Sequence, residues 1–224
     1  MATVENRIAS STAFTVLIAV TACHLMNDTL QALLLAMYPM LRDSYALTFG
    51  QIGMITLVFQ VTASLLQPLI GHYTDRRPLP YSLPIAPAFT FLGLVLLGMA
   101  TSYPVILVAA GAIGIGSAIF HPEASRVARI ASGGRYGMAQ SLFQVGGNIG
   151  SSIGPLLAAW IILPHGQSSV LWFGAIALTA IGVLSGVGRW YSHHLRPKNT
   201  ARPTPLVHHN LSSRTVSLSL RWRY

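Results

Sequence analysis

Apolar residues fill long, nearly uninterrupted stretches of this 224-residue chain, and short polar connections separate them. Six of the stretches match the roughly 20 residues that an α-helix needs to cross a membrane. They lie near residues 13–38, 51–71, 82–101, 104–125, 138–163 and 169–191. The pattern predicts an all-α membrane protein with six transmembrane helices. Residues 13–191 would form the membrane domain, with a short N-terminal segment (1–12) and a tail (192–224) outside it.

The fifth apolar segment carries a small residue at every fourth position: Gly146, Gly150, Gly154 and Ala158. On a helix this spacing places all four on one face, where the backbone of a second transmembrane helix can approach closely. The following Pro155 predicts an interruption of the helix. Lipid tolerates a broken helix only where neighbouring helices or a cavity satisfy the freed backbone groups. We therefore expect this helix to lie inside a bundle that moves.

Composition supports the membrane assignment. Hydrophobic residues make up 52% of the chain and charged residues only 8%, whereas soluble domains carry about 25% charged residues. The formal net charge of +9 would fit nucleic-acid binding, but the basic residues lie in the connections and in the tail rather than in one patch. Membrane lipid, and not nucleic acid, is the expected environment.

The basic residues also predict an orientation. Arginines cluster in the connections after the second, fourth and sixth segments, whereas Arg42 is the one arginine in the intervening connections. Because cytoplasmic loops carry an excess of Lys and Arg, both termini are expected in the cytoplasm.

An internal repeat is also visible. The stretches GMITLVFQV (53–61) and GMAQSLFQV (137–145) share Gly, Met, Phe, Gln and Val in register. The first begins the second helix and the other begins the fifth, so the two run in opposite directions. This is the pattern of an inverted three-plus-three repeat, as nested within transporter halves. Chance similarity between two apolar helices is the alternative, but the same period also pairs the third helices of the two triplets.

Polar side chains follow one face of the first segment: His24, Asn27, Asp28 and Gln31. Asp28 lies near the middle of the segment, where a carboxylate costs about 2.5–3.5 kcal/mol on insertion scales. A carboxyl that is neutral when dry and ionised when wetted can carry a proton between the two sides, and His24 is its candidate partner. The alternatives are a structural Asp28, hydrogen-bonded within the bundle, and a His24 that only packs.

A second carboxylate, Glu123, follows Pro122 near the cytoplasmic end of the fourth segment, and Arg126 lies three residues further on. One interpretation is an ion pair at a helix end, worth a few tenths of a kcal/mol. The other is a cytoplasmic-side proton or substrate site formed by His121, Glu123 and Arg126. The sequence leaves both open.

The second segment carries a polar stripe formed by Gln60, Ser64 and Gln67, and Gln144 is the counterpart of Gln60 in the repeat. The stripe either lines a cavity or forms hydrogen bonds to neighbouring helices.

Two motifs resemble the major facilitator superfamily. The run GSSIGPLLAA (150–159) is similar to the fifth-helix motif of its antiporters, and GHYTDR (71–76) is similar to the loop signature between its second and third helices. Longer stretches resemble the fosmidomycin-resistance exporters: HLMNDTLQALLLAMYP (24–39), LTFGQIGMITLVFQ (47–60), FHPEASRVARIASGGRYG (120–137) and FQVGGNIGSSIGPLLAA (143–159). The resemblance covers residues from about 13 to 196. It implies the N-terminal half of a major facilitator fold, and a drug exporter of the bacterial inner membrane driven by proton entry.

The resemblance also implies roles for particular residues. Gly71, Asp75 and Arg76 would form a cytoplasmic gate loop, in which Asp75 closes the inward side against a helix N-terminus or against Arg129. The alternative is that the loop only supplies the positive charge that sets topology. The antiporter motif would comprise Gly146, Gly150, Gly154 and Pro155.

Two departures from the superfamily pattern matter. Pro78, Leu79 and Pro80 stand where the loop signature continues with Gly and basic residues. Ala110 stands where the superfamily often carries a mid-membrane Arg in helix four. Any proton coupling must therefore use other residues.

Superfamily transporters have two six-helix halves around one central site, whereas this chain shows one half and a basic tail. The expected partners are lipid, a small-molecule drug, protons, and a second transporter half or a homodimer. The tail is expected to be cytoplasmic and disordered. The alternative function is that of a truncated, transport-inactive membrane fragment. No cofactor and no metal site is predicted. An intramembrane serine protease is rejected, because Ser117 and His121 lie on one helix whereas nucleophile and base must come from facing helices.

Overall fold

Six helices form the bundle in the computed structural model, which describes residues 12–195. They are α1 (Phe14–Ser44), α2 (Phe49–Arg76), α3 (Ser82–Gly98), α4 (Tyr103–Ala131), α5 (Tyr136–His165) and α6 (Gln167–His194). Five of them are long and apolar enough to cross a membrane, and α3 is shorter, with 17 residues. The described range contains no strand. The all-helical prediction is confirmed, while the predictions for residues 1–11 and 196–224 lie outside the described residues.

Three helices are locally irregular at prolines. In α1, the α-helix ends at Ala36 and a new one begins at Tyr38, just before Pro39. In α2, a π-helical turn (Val61–Leu65) precedes Pro68, and in α5 another (Ala158–Ile162) precedes Pro164. Proline lacks the N–H that would continue the regular ladder, so the hydrogen-bond pattern changes nearby.

The predicted interruption at Pro155 is wrong. The α-helix continues through this residue to Leu157. Its hydrogen-bond pattern changes only at the π-helical turn that follows. Pro155 lies on the exposed side of α5, so its ring does not disturb the packed face. The helix therefore keeps its close contact with α1 at Gly154, next to this proline.

The small residues of α5 pack against α1. A Cβ atom added to Gly146 would lie 2.5 Å from the Thr21 carbonyl oxygen, and one added to Gly154 would lie 2.5 Å from Ala32 Cβ. Gly150 would clash with the Leu25 carbonyl oxygen in the same way. The glycine spacing thus brings two helix backbones together, as small residues do in membranes.

The second helix is the least enclosed element of the bundle. Its buried residues are few: Ile55, Phe59, Ala63 and Thr74. It packs mainly against α4, whereas α1, α5 and α6 pack closely with one another or with α3 and α4. A cleft therefore separates α2 from α1 and α5, and α4 forms its floor.

Candidate functional site

Three ionisable side chains from two helices meet at the floor of this cleft. His24 Nε2 of α1 lies 3.3 Å from Asp28 Oδ2, and His121 Nε2 of α4 lies 3.4 Å from Asp28 Oδ1. The two imidazole rings meet edge to face at a centroid distance of 5.1 Å. His24 is buried, while 18% of the Asp28 side chain and 26% of the His121 side chain are exposed. We call these three residues the His–Asp–His cluster.

The backbone determines which ring nitrogen of each histidine faces Asp28. His24 Nδ1 lies 2.8 Å from the Phe143 carbonyl oxygen, and His121 Nδ1 lies 2.9 Å from the Ser117 carbonyl oxygen. A carbonyl oxygen only accepts hydrogen bonds, so each Nδ1 must carry a hydrogen and donate it. Each Nε2 is therefore the position that gains or loses a proton, and both are turned toward the carboxylate.

Two amides and one glycine complete the surroundings of Asp28. Asn27 Nδ2 donates to Asp28 Oδ1 at 3.0 Å, and Gln31 Nε2 donates to the same oxygen at 3.2 Å. On the other side, a Cβ added to Gly147 of α5 would lie 2.6 Å from His24 Nε2 and 2.8 Å from Asp28 Oδ2. The absence of a side chain at Gly147 leaves room for the cluster.

A second group of charged residues joins α2 to α4 at one end of the bundle. Arg126 forms ion pairs with Glu123 of its own helix and with Asp75 of α2. Its Nη2 also donates to Thr74 Oγ1 at 3.1 Å. The Glu123 side chain is fully buried, whereas 70% of the Asp75 side chain is exposed. We call these residues the Arg126 bridge.

Asp75 pairs with Arg126 and not with Arg129, which was one of the two partners that the sequence suggested. Close packing of the two helices explains the choice: a Cβ added to Gly71 would lie 3.6 Å from Pro122 Cβ. This approach sets Asp75 opposite the turn that carries Arg126. Arg129 instead lies over the ring of Tyr136, 5.0 Å from its centroid.

The structure also separates residues that the sequence grouped. His121 contacts Asp28, whereas Glu123 contacts Arg126. The two side chains diverge because helix positions two residues apart do not share a face. Glu123 does form the i,i+3 ion pair with Arg126, but the pair is not at the surface, because the Glu123 side chain is fully buried and its Oε2 has no hydrogen-bond partner among the described residues. The Tyr191 hydroxyl of α6 is buried beside Arg126.

The remaining candidates lie around the cleft. Gln67 and Gln144 line it together with Ser64 and His121. Gln31 and Pro155 line its other part, next to Asp28. Gln60 is exposed on α2, and Arg76 is exposed at the end of that helix. Sequence reasoning missed Phe143, Gly147, Thr74 and Tyr191, whose contacts depend on backbone position or helix packing and leave no local signal.

Ser117 and His121 do come close, at 3.2 Å between Ser117 Oγ and His121 Nδ1. Because His121 Nδ1 carries the hydrogen donated to the Ser117 carbonyl oxygen, it cannot accept the hydroxyl proton. Ser117 is also 1% exposed. This pair therefore lacks the base and the access that a nucleophile requires.

A bundle of apolar helices with ionisable side chains facing an interior cleft is the arrangement of a membrane transporter, because such residues mark substrate and ion pathways. The model of the Major Facilitator Superfamily matches residues 18–223. The chain belongs to this superfamily, whose members are transporters rather than enzymes.

Two curated relatives narrow the assignment. The chain is 54% identical over 209 residues to the "Fosmidomycin resistance protein" of Escherichia coli (strain K12), covering 93% of this chain and 51% of that protein. It is 42% identical over 205 residues to the "Uncharacterized MFS-type transporter YfnC" of Bacillus subtilis (strain 168), covering 88% and 50%. The chain thus spans about half the length of the curated relatives it matches, which agrees with the predicted half of a superfamily fold.

A solved structure shows the same fold. The crystal structure of tetrameric PepTSo2 superposes with a TM-score of 0.67 at 15% sequence identity, covering 94% of this chain and 46% of that one.

Proposed function

We propose that this chain is the N-terminal half of a drug:proton antiporter of the fosmidomycin-resistance type, in which Asp28 takes part in proton coupling. The observation that supports the proposal is the His–Asp–His cluster, in the middle of α1 and open to the cleft. A carboxylate at this depth is costly, so its presence beside two histidines is typical of an ion pathway.

The surroundings of Asp28 suggest how a proton is held. Asn27 and Gln31 stabilise the ionised carboxylate by donating two hydrogen bonds. A proton that enters the cleft binds at Asp28 or at either Nε2, since both Nδ1 positions are committed to backbone carbonyls. Binding removes a negative charge or adds a positive one where the drug would lie, so the proton state of the cluster changes drug affinity. That difference in affinity is what an exchange of drug for protons requires.

The Arg126 bridge would hold the cytoplasmic end of the cleft closed. It joins α2 to α4, which is the helix that α2 mainly packs against. Opening on this side would separate Asp75 from Arg126 while Glu123 keeps the guanidinium paired. We place the bridge, and both termini, on the cytoplasmic side of the bacterial inner membrane from the distribution of arginines.

The other wall of the cleft would come from a second transporter half or from a second copy of this chain. Alternating access moves one half against the other around a site between them. Drug, protons and lipid are the expected partners of the assembled transporter.

Drug export by a full-length chimera tests the proposal. When this chain is joined to the second half of the Escherichia coli relative, Asp28→Asn should abolish export while the protein remains in the membrane. The matched control is Asp43→Asn, which also removes one carboxylate but at an exposed position outside the cleft. Unchanged export by the Asp28 variant would refute a role in coupling.

A further inference from the structure

We propose that the His–Asp–His cluster binds one divalent transition-metal ion of the zinc type. One ring nitrogen from each histidine and a carboxylate oxygen lie within 4.8 Å of one another. Two histidines and one carboxylate are a ligand set that Zn²⁺ uses where a fourth position stays open. The proposal concerns the same residues as the proposed function, but its test needs neither drug nor proton gradient, so the two can fail separately.

The two imidazole–carboxylate contacts are longer than direct charge-assisted hydrogen bonds. The two Nε2–oxygen separations are 3.3 and 3.4 Å. A charge-assisted hydrogen bond would bring nitrogen and oxygen to about 2.7–2.9 Å. Two ligands held at about 2.0–2.1 Å in a tetrahedron are about 3.3–3.4 Å apart. The two contacts involve different oxygens of Asp28, and the three ligand atoms lie within 4.8 Å of one another, so the side chains would rotate to converge on one ion.

The contacts behind the ligands are those of a metal site. A histidine that binds a metal through one nitrogen usually donates its other N–H to a carbonyl or carboxylate, which fixes the tautomer and the ring orientation. His24 and His121 both do so, toward the carbonyl oxygens of Phe143 and Ser117. Asp28 is in turn held by the amides of its own helix. The ligands are thus oriented before an ion arrives.

Access and ligand chemistry indicate the class of ion. Asp28 and His121 line the cleft beside Gln31 and Ser151, so an ion and a water molecule on its fourth position can enter from that side. Imidazole nitrogens favour zinc, copper, nickel and iron, whereas Mg²⁺ and Ca²⁺ prefer oxygen ligands. A bound ion would tie α1 to α4 across the floor of the cleft.

The test is metal binding by the full chain purified in detergent. Zn²⁺ is titrated in competition with a chromophoric chelator, and Co²⁺ is added separately because its visible absorption reports tetrahedral coordination. All samples carry glutamine in place of four histidines that form adjacent pairs elsewhere and would bind metal adventitiously: His193, His194, His208 and His209. Mg²⁺ serves as the control ion.

We expect one Zn²⁺ per chain, and an affinity that Mg²⁺ does not change. His121→Gln and Asp28→Asn, on different helices, should each weaken binding by at least the ~10–100-fold that loss of an outer-shell partner costs. His165→Gln is the matched control, because this exposed histidine lies outside the cluster, bonded to the Ile161 carbonyl and packed beside Trp172. Circular dichroism verifies that each variant keeps its helices.

Zn²⁺ should also raise the unfolding temperature of the chain that retains all three ligands, since an ion that binds only the folded state stabilises it. This measurement does not depend on the folding of any ligand variant. The proposal is overturned if that chain binds no Zn²⁺ and gains no thermal stability, or if His121→Gln binds Zn²⁺ as tightly as His165→Gln.

Discussion

Removal of the Arg126 guanidinium tests which charges at the junction of α2 and α4 support the fold. Arg126 is paired with two carboxylates that differ in their exposure to solvent. Glu123 is fully buried, whereas 70% of the Asp75 side chain is exposed. Breaking a buried pair leaves an uncompensated charge and costs about 3–5 kcal/mol. An exposed pair contributes about 0.2–1 kcal/mol. Arg126→Gln should therefore lower the free energy of unfolding by about 3–5 kcal/mol, nearly all of it through Glu123.

Two further variants separate the contributions. Asp75→Asn should cost no more than about 1 kcal/mol, because water screens the exposed carboxylate. Glu123→Gln combined with Arg126→Gln should recover most of the loss, since it removes the buried charge along with its partner. The non-additivity of the double variant measures the coupling between the two side chains.

The assay is unfolding of the purified chain by a denaturing detergent, followed by circular dichroism. If Asp75→Asn destabilises the bundle as much as Arg126→Gln does, burial does not set the cost and the reasoning is refuted. The same holds if the double variant is as unstable as Arg126→Gln alone.

Three other predictions follow from the fold. Gly150→Ala should destabilise the bundle by about 1–3 kcal/mol, because its Cβ would clash with the Leu25 carbonyl in a close-packed interface; Gly182→Ala, with open space around it, should be neutral or slightly stabilising in the same assay. Cysteine labelling of intact cells should modify Ser102→Cys from outside and leave Arg135→Cys unlabelled until the membrane is opened, and the reverse pattern would contradict the proposed orientation. The 224-residue chain expressed alone in a strain without its own exporter should insert but not raise fosmidomycin tolerance, because the cleft lacks its second wall; a clear rise in tolerance would indicate a working homodimer.

The helices themselves could be predicted from the sequence for a simple physical reason. In lipid, every backbone N–H and C=O must be satisfied within the segment, so apolar length alone determines that a helix forms. The every-fourth-residue glycines of α5 also predicted a close helix contact, because that contact depends on one helix face. Irregularities were harder to foresee: Pro155 leaves α5 continuous, whereas the π-helical turns form before Pro68 and Pro164.

The grouping of the polar residues was decided by tertiary structure. Sequence spacing placed His24 one turn from Asp28, since residues four apart share a helix face. It could not show that His121 of α4 reaches the same carboxylate, or that Asp75 meets Arg126 and not Arg129. Both depend on how α4 is rotated and how closely α2 approaches it at Gly71. Local pattern determines which face of a helix is polar, but packing of the whole bundle determines what that face meets.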